Sequence, residues 1–148
     1  MELVCKKCRK SYQLDSSFYK CPKCNGQLEI INNNTNFSYD SKQPGLWKYF
    51  KELPLLNSKN IISLGEGDTP LIKCDKEKDY EIWIKNEMIN PTGTYKDRPA
   101  AVSVSKAKEL SAAGVIVASD GNAAPAVAAY AAKGGIRSIV LMPEDTPS

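Results

Sequence analysis

The stretch Asn90-Pro91-Thr92-Gly93-Thr94-Tyr95-Lys96-Asp97-Arg98 joins a proline–glycine turn to the start of a predicted helix. Turn residues of this kind fix the backbone, and the first turn of a helix offers unpaired N–H groups and partial positive charge. A lysine amine held in such a setting can approach a carbonyl group and form a Schiff base with it. Lys96 is therefore the first candidate for a catalytic residue.

Helices and strands alternate regularly after this stretch. Apolar residues at three- and four-residue steps predict a helix over 98–112 that Gly114 ends. Two short apolar runs, 115–118 and 138–142, are typical of parallel strands covered on both faces. An alanine-rich helix is predicted between them, over 123–133. The order of strand, helix and strand predicts an α/β fold with a parallel sheet.

The sequence before the lysine stretch predicts shorter elements. Residues 46–50 have apolar and aromatic side chains at helical spacing, and Pro54 ends that helix. Residues 61–72 predict a strand, a turn and a second strand, and residues 80–85 predict a further strand. The chain therefore divides into three predicted parts: a ribbon over 1–31, a linker with a helical arm over 32–60, and a catalytic domain over 61–148.

Four of the five cysteines form two pairs, with two residues inside each pair and twelve between the pairs: Cys5, Cys8, Cys21 and Cys24. In a chain without an export signal this spacing favours a metal site over disulfides. Four thiolates complete the tetrahedral shell of zinc and leave no open position. We predict a structural zinc ribbon with short strands around 11–13 and 27–31. A redox pair and a site without metal are the alternatives.

The sequence also predicts roles for a glycine of the ribbon and for the fifth cysteine. Gly26 follows the second cysteine pair, where a left-handed backbone is often needed. The remaining cysteine, Cys74, lies in the polar run 73–77 and is expected to be a loop thiol without a partner. A module of about 30 residues buries too little apolar surface to fold without a metal or a similar staple.

Composition excludes several classes of function. The chain of 148 residues is 42% hydrophobic and 25% charged and contains no histidine. Histidine-based nucleophile pairs and histidine metal ligands are therefore excluded within it. No apolar run approaches the ~18–20 residues of a membrane span, and the N-terminus has no apolar signal core, so we expect a cytoplasmic protein. The net charge of +3 lies within residues 1–30, where any nucleic-acid contact would have to lie.

The lysine stretch resembles the motif Asn-Pro-Thr-Gly-Ser-Phe-Lys-Asp-Arg of the fold-type II pyridoxal-phosphate (PLP) enzymes, the threonine synthases above all. Thr94 and Tyr95 are the two conservative differences. The resemblance implies a tryptophan synthase beta-like α/β fold. It also implies that Lys96 forms the Schiff base with PLP and moves protons on the substrate carbons.

A second loop, Ser119-Asp120-Gly121-Asn122, follows the strand 115–118, and α/β folds bind ligands at that end of a strand. Asn122 is also a good helix N-cap residue. The family form is Ser-Ser-Gly-Asn, so the resemblance implies that Asn122 contacts the 3-oxygen of PLP. It further implies that Ser119 and Gly121 bind the substrate carboxylate.

Two more features bear on the substrate. Asp120 departs from the family pattern and is similar to the second base of diaminopropionate ammonia-lyases, which have an Asp-Gly-Asn loop. The turn 65–71 also matches the family, which makes Thr69 and Glu66 candidate neighbours of the substrate. These implied roles favour a small amino-acid substrate.

The resemblance runs from Met1 to Ser148 in family order, whereas family members continue further. The glycine-rich phosphate loop, the group that faces the pyridine nitrogen and a second domain are not found in these 148 residues. We therefore expect the N-terminal portion of a longer enzyme, homodimeric when whole. We also expect that this polypeptide alone neither binds PLP tightly nor turns over substrate.

Several functions remain open at this point. The first is a threonine synthase-like lyase that converts O-phosphohomoserine to threonine and phosphate. A diaminopropionate ammonia-lyase or a cysteate synthase-like enzyme is the alternative within the same fold. A zinc-ribbon module that binds nucleic acid or a protein is favoured only by the basic ribbon, with its aromatic residues Tyr12, Phe18 and Tyr19. A non-catalytic remnant that keeps the fold is the last reading.

Overall fold

The N-terminal part of the computed structural model is a three-stranded antiparallel sheet with the strand order β2-β1-β3. The structure describes residues 1–34, 36–74 and 80–146. The strands are β1 (Glu2–Cys5), β2 (Ser11–Tyr12) and β3 (Leu28–Ile31). The two strands expected around 11–13 and 27–31 are confirmed. β1 was not predicted, and it forms the centre of the sheet because it pairs with both of the others.

The predicted helical arm is present as a 3₁₀ helix, Gly45–Glu52, with a kink at Tyr49. It ends just before Pro54, as the sequence predicts, and its Trp47 side chain is buried. At its start, the backbone of Gly45 contacts the turn that contains Glu66 and Gly67. A methyl group on Gly45 would lie 2.1 Å from the Glu66 carbonyl oxygen, so only glycine fits there.

The expectation of a strand, a turn and a strand over 61–72 is half wrong. Only the second half forms a strand, β4 (Leu71–Cys74), which pairs antiparallel with β5 (Ile82–Lys85). Residues 61–64 do not form a strand, because side chains accept hydrogen bonds from their backbone in place of a neighbouring strand. Ile62 N–H donates to Ser105 Oγ at 2.8 Å. Cys74 is the last residue of β4 and pairs with Ile82, so the prediction that it lies in a loop is wrong. Residues 75–79 of the polar run lie outside the described residues.

The unit after the lysine stretch is a βα arrangement close to the prediction. Its elements are α1 (Asp97–Glu109), β6 (Gly114–Ala118), α2 (Ala123–Gly134) and β7 (Arg137–Leu141). β6 and β7 pair in parallel. One boundary was wrong: Gly114 begins β6, and α1 ends earlier, where Ser111 takes the left-handed conformation with φ 53.

The core lies between the two helices and the arm. Small side chains of α1 and α2, such as Ala101, Ala126 and Ala131, are fully buried and let the helices approach closely. The sheet is covered on one face within the described residues, since Ile116 of β6 is 68% exposed. Within the described part of the chain, the second cover expected for strands of this kind is absent. Among the residues described, no helix has both the length and the apolar character needed to cross a membrane.

Candidate functional site

Asp97, a residue of the lysine stretch, fixes the conformation of the turn that precedes Lys96. The carboxylate of Asp97, which is fully buried, accepts hydrogen bonds from Thr92 N at 3.1 Å and from Thr92 Oγ1 at 2.8 Å. Gly93 has φ 79 and its N–H donates to the Asn90 carbonyl oxygen, which closes the turn. A carboxylate in the first turn of α1 also complements the helix dipole. The turn therefore holds one conformation immediately before Lys96.

Lys96 is half-buried and stands directly before α1. Its Nζ lies 5.0 Å from the centroid of the Tyr95 ring. Within the described ranges, no carboxylate or other hydrogen-bonding group takes up this amine. An amine that is held by a rigid turn and carries no ion pair fits the aldehyde of PLP, because it is free to bond to that carbon.

The loop between β6 and α2 borders an open cavity of about 400 Å³. The lining residues are Ala118, Ser119, Asp120, Leu141, Met142 and Pro143. Ser119 Oγ accepts the Gly121 N–H at 3.1 Å, which curls the loop. Asp120 is exposed, and its carboxylate has no hydrogen-bond partner among the residues that the structure describes. The cavity therefore presents a hydroxyl and a carboxylate at the carboxyl ends of two parallel strands.

Asn122 does not act as the helix cap that its position suggests. Its backbone is already helical, with φ −57 and ψ −18, and its side chain makes no capping bond, so that expectation is wrong. The side chain is exposed and makes no hydrogen bond within the part of the chain that the structure describes. Lys96 and Asn122 stand at the starts of α1 and α2, two helices that pack against each other. No described hydrogen bond links them, and the cofactor contact of Asn122 stays a prediction.

Glu66 and Thr69 are both buried within the protein rather than open to solvent. Glu66 Oε2 accepts from Tyr130 Oη at 2.7 Å, from Leu64 N at 3.0 Å and from Ser63 Oγ at 3.2 Å. Burial and the bond to Glu66 raise the pKa of Tyr130 far above its usual range. Glu66 thus joins the turn to α2, and the substrate contacts predicted for Glu66 and Thr69 stay predictions.

Replacing Tyr130 by phenylalanine should lower the free energy of unfolding by about 2–3 kcal/mol, because the buried Glu66 carboxylate loses its best donor. Glu66 Oε1 already has no partner in the described structure, so no second bond compensates. Chemical denaturation of the two proteins measures the difference. Tyr39→Phe is the control, since Tyr39 is exposed and should change stability by less than about 0.5 kcal/mol. Equal effects of the two substitutions would contradict this account.

Glu87 is a site residue that the sequence reading missed. Its carboxylate accepts hydrogen bonds from Arg98 Nε at 2.7 Å, Arg98 Nη2 at 2.8 Å and Thr69 Oγ1 at 2.6 Å. Asn90 Nδ2 adds a fourth bond at 2.9 Å. The Arg98 guanidinium, supported by Thr69 and Asn90, lowers the pKa of Glu87 to about 2. The sequence signal was a lone glutamate three residues before the lysine stretch, which is too common to single out.

The four paired cysteines come together as predicted. All four sulfurs lie within 4.8 Å of one another, with Cys5 Sγ 3.5 Å from Cys24 Sγ and Cys8 Sγ 3.6 Å from Cys21 Sγ. A tetrahedral zinc–thiolate site with bonds of about 2.3 Å has sulfur–sulfur edges of about 3.8 Å, so the arrangement fits such an ion. The cluster could therefore hold a metal ion.

Hydrogen bonds within the cluster act on its thiols. The Cys8 N–H donates to Cys5 Sγ at 3.4 Å, and this backbone bond is the main reason that the pKa of Cys5 is lowered. Burial raises the pKa of Cys21, but the Tyr12 hydroxyl 3.0 Å away and nearby backbone N–H groups outweigh burial and bring it to about 6. The Gly26 backbone N–H lowers the pKa of Cys24, but burial and the neighbouring cysteine sulfurs outweigh it and raise that pKa to about 12. The hydrogen bonds therefore favour the thiolate at Cys5 and Cys21 and the thiol at Cys24.

The expected backbone role of Gly26 is wrong. The left-handed position after each cysteine pair belongs to Arg9, with φ 60, and to Asn25, with φ 56. Gly26 is needed for another reason, because a methyl group there would lie 2.9 Å from Cys5 Sγ and 3.3 Å from Cys24 Sγ. The glycine makes room for two of the sulfurs.

Gly26→Ala should therefore displace these two sulfurs and weaken any metal binding at the cluster by about tenfold or more. Competition with a chelator of known affinity measures the change. Asn25→Gly is the matched control, since glycine adopts φ 56 without strain and leaves the sulfurs untouched. Unchanged affinity in Gly26→Ala would show that the sulfurs do not need this space.

The aromatic residues of the ribbon do not form an open stacking surface. Tyr12 and Phe18 pack edge to face with ring centroids 5.1 Å apart, and the Tyr12 hydroxyl lies on Cys21. Tyr19 is 85% exposed, with Lys20 above its ring. Two of the three aromatic rings that supported the nucleic-acid alternative are thus occupied by contacts within the ribbon.

Comparison with known proteins identifies the class. A family model described as pyridoxal-phosphate dependent enzyme matches residues 62–148, more than half of the chain. The matched part includes Lys96 and the loop from Ser119 to Asn122. The chain belongs to this family, and its α/β unit is part of the PLP-enzyme fold.

Within this family, the chain is similar to threonine synthases. It is 40% identical to the threonine synthase of Methanocaldococcus jannaschii over 95% of this chain and 37% of that protein. Identity to the enzyme of Methanosarcina acetivorans is 39%, over 95% and 36% of the two chains. The threonine synthase of Halalkalibacterium halodurans is 44% identical over 70% of this chain and 30% of that protein. The resemblance drawn from the lysine stretch is confirmed, and the match covers between 30% and 37% of the length of these relatives.

Proposed function

We propose that this chain forms the lysine-bearing part of a PLP-dependent threonine synthase, which converts O-phosphohomoserine and water to threonine and phosphate. The observation that carries the proposal is Lys96: it lies within the region that matches the family, directly after the fixed turn, and its amine has no hydrogen-bonding partner among the described residues. Similarity to threonine synthases over 95% of the chain supports this choice of substrate. An amino-acid substrate, a homodimeric whole protein and a cytoplasmic location belong to the same proposal.

The residues have separate roles in this proposal. Lys96 Nζ would hold PLP and afterwards carry protons to and from the substrate carbons, while Asn122 would contact the cofactor ring. Ser119 and the Gly121 N–H would bind the substrate carboxylate, and Thr69 would lie beside the substrate. When bound, PLP supplies an electron sink for the negative charge that develops on those carbons. The Asp97 lock supports the role of Lys96, because it fixes the backbone from which the amine projects.

We assign zinc to the four-cysteine cluster. Thiolate ligands and the absence of histidine favour a soft, tetrahedral ion, and four sulfurs leave no place for a substrate. The ion would therefore stabilise the ribbon and take no part in the chemistry.

An assay of a full-length protein that contains this chain, with added PLP, tests the proposed function. We expect O-phosphohomoserine to yield equal amounts of threonine and phosphate. Asp120 favours the alternative reaction, since its carboxylate borders the cavity beside Ser119 and has no partner in the described part of the chain. Release of ammonia from 2,3-diaminopropionate, without any reaction of O-phosphohomoserine, would overturn the threonine synthase assignment in favour of that alternative. Loss of this release in Asp120→Asn would identify the second base.

A further inference from the structure

Glu87 joins three segments that are separate in the sequence. It lies in a short 3₁₀ turn, Glu87–Ile89, that follows β5. Its hydrogen-bond partners are Asn90 and Arg98, the first and last residues of the lysine stretch, and Thr69 in the preceding turn. Arg98 Nη2 also donates to Thr69 Oγ1 at 3.2 Å, which closes the network. A single carboxylate therefore holds both ends of the stretch that contains Lys96.

The network is strong for two reasons. The Arg98 guanidinium meets the carboxylate through two N–H groups, the bidentate geometry in which each bond directs the other. The side chains are also partly shielded, with exposures of 28% for Arg98 and 22% for Glu87. Because the pKa of Glu87 is held near 2, the carboxylate remains charged at neutral pH.

We propose that Glu87 is a positioning residue for Lys96: by fixing Arg98 and Asn90 it sets the direction in which the lysine amine points. Among the contacts described, Glu87 has none with Lys96, so it acts through the backbone of the stretch. Asp97 fixes the conformation of the turn itself. Glu87 fixes the position of that turn relative to β5 and to the segment around Thr69. The inference rests on the proposed role of Lys96 as the PLP lysine.

The variant that tests the inference is Glu87→Gln, which keeps the length of the side chain but removes one acceptor oxygen and the charge. The matched control is Glu109→Gln at the other end of α1. The Glu109 carboxylate also accepts several bonds, from Lys106 Nζ at 2.6 Å, Leu56 N at 2.8 Å and Asn57 N at 2.9 Å. Both variants therefore remove one charged, multiply bonded carboxylate that holds α1, and only one of them lies beside Lys96.

Two measurements are made on each variant and on the parent, all prepared as a full-length protein that contains this chain. In the PLP-free protein, trace acetylation gives the rate at which Lys96 is labelled relative to Lys108, an exposed lysine of the same helix. In the protein given PLP, borohydride reduction and peptide mapping give the rate at which PLP is fixed on Lys96. The first measurement does not depend on cofactor binding, so it tests the position of Lys96 even if the parent protein takes up no PLP.

In Glu87→Gln we expect the labelling of Lys96 to rise toward that of Lys108 and PLP fixation to slow by about tenfold or more. In Glu109→Gln both should stay within about twofold of the parent. Parent-like values in Glu87→Gln would overturn the inference, as would equal changes in the two variants, since a general loss of stability would then explain both. If Glu87→Gln does not fold, Arg98→Lys replaces it, because lysine keeps the charge but loses the two-pronged contact. If the parent fixes no PLP on Lys96, the proposed function fails, and the labelling ratio alone decides the role of Glu87.

Discussion

Replacing Lys96 by alanine in a full-length protein that contains this chain should abolish the fixation of PLP at this position and lower the proposed turnover by on the order of 10³-fold or more. The expectation follows from chemistry, since no other group in the lysine stretch has an amine that can bond to the PLP aldehyde. The proton transfers assigned to the same amine would be lost with it. Peptide mapping after borohydride reduction measures where PLP is attached, and release of phosphate from O-phosphohomoserine measures turnover.

Two control variants distinguish loss of the amine from loss of the positive charge and from loss of the fold. Lys96→Arg keeps the cation 5.0 Å from the Tyr95 ring but cannot form a Schiff base, so it should be as inactive as Lys96→Ala. Lys108→Ala removes an exposed lysine of the same helix and should keep PLP on Lys96. PLP found on another lysine of the parent protein would contradict the assignment, whatever the activity of the variants.

The elements after the lysine stretch could be predicted because each is a local pattern. Residues 98–112 repeat apolar side chains at helical spacing, and the two strands are short apolar runs, so β6, β7 and both helices were found within a few residues. Their boundaries were less certain, because a single residue decides them. Ser111 ends α1 in a left-handed conformation that serine seldom adopts, and glycine had seemed the better candidate.

The errors lie where long-range contacts override local pattern. Residues 61–64 have the composition of a strand, but Ser105 and Glu66 bind their backbone N–H groups. Asn122 has the side chain of a helix cap, yet its backbone already lies within the helical region. Ser105 lies 43 residues from Ile62 in the sequence, so the residues around Ile62 do not reveal that bond.

The same limit applies to the candidate site. Lys96, the four cysteines and the loop after β6 could be identified because each is a compact motif with its own chemistry. Glu87 could not, because its importance depends on partners 11 and 18 residues away in the sequence. Motifs thus reveal the groups that would react, whereas the structure reveals the groups that hold them.

The second large effect is expected at the cysteine cluster. Removal of the metal should unfold the ribbon, because structural zinc sites of this size contribute apparent binding free energies of about 10–16 kcal/mol and few apolar side chains are buried around them. Within the described ribbon, the buried apolar side chains are Cys5, Leu14 and Cys21, and two of these belong to the cluster to which zinc is assigned. Amide hydrogen exchange with and without a chelator measures the effect, and native mass spectrometry counts the zinc.

The predicted exchange pattern is local. Amides of β1, β2 and β3 should lose protection when the metal is removed, whereas those of α1 and α2 should keep it, since the helices pack on the arm and on each other. Cys21→Ser should reproduce the effect of the chelator, because Cys21 is a buried member of the cluster. Cys74→Ser is the matched control, since Cys74 ends β4 and is not part of the cluster. If the chelated ribbon stays protected, or Cys74→Ser loses the metal as Cys21→Ser does, the four-cysteine site does not hold the ribbon together.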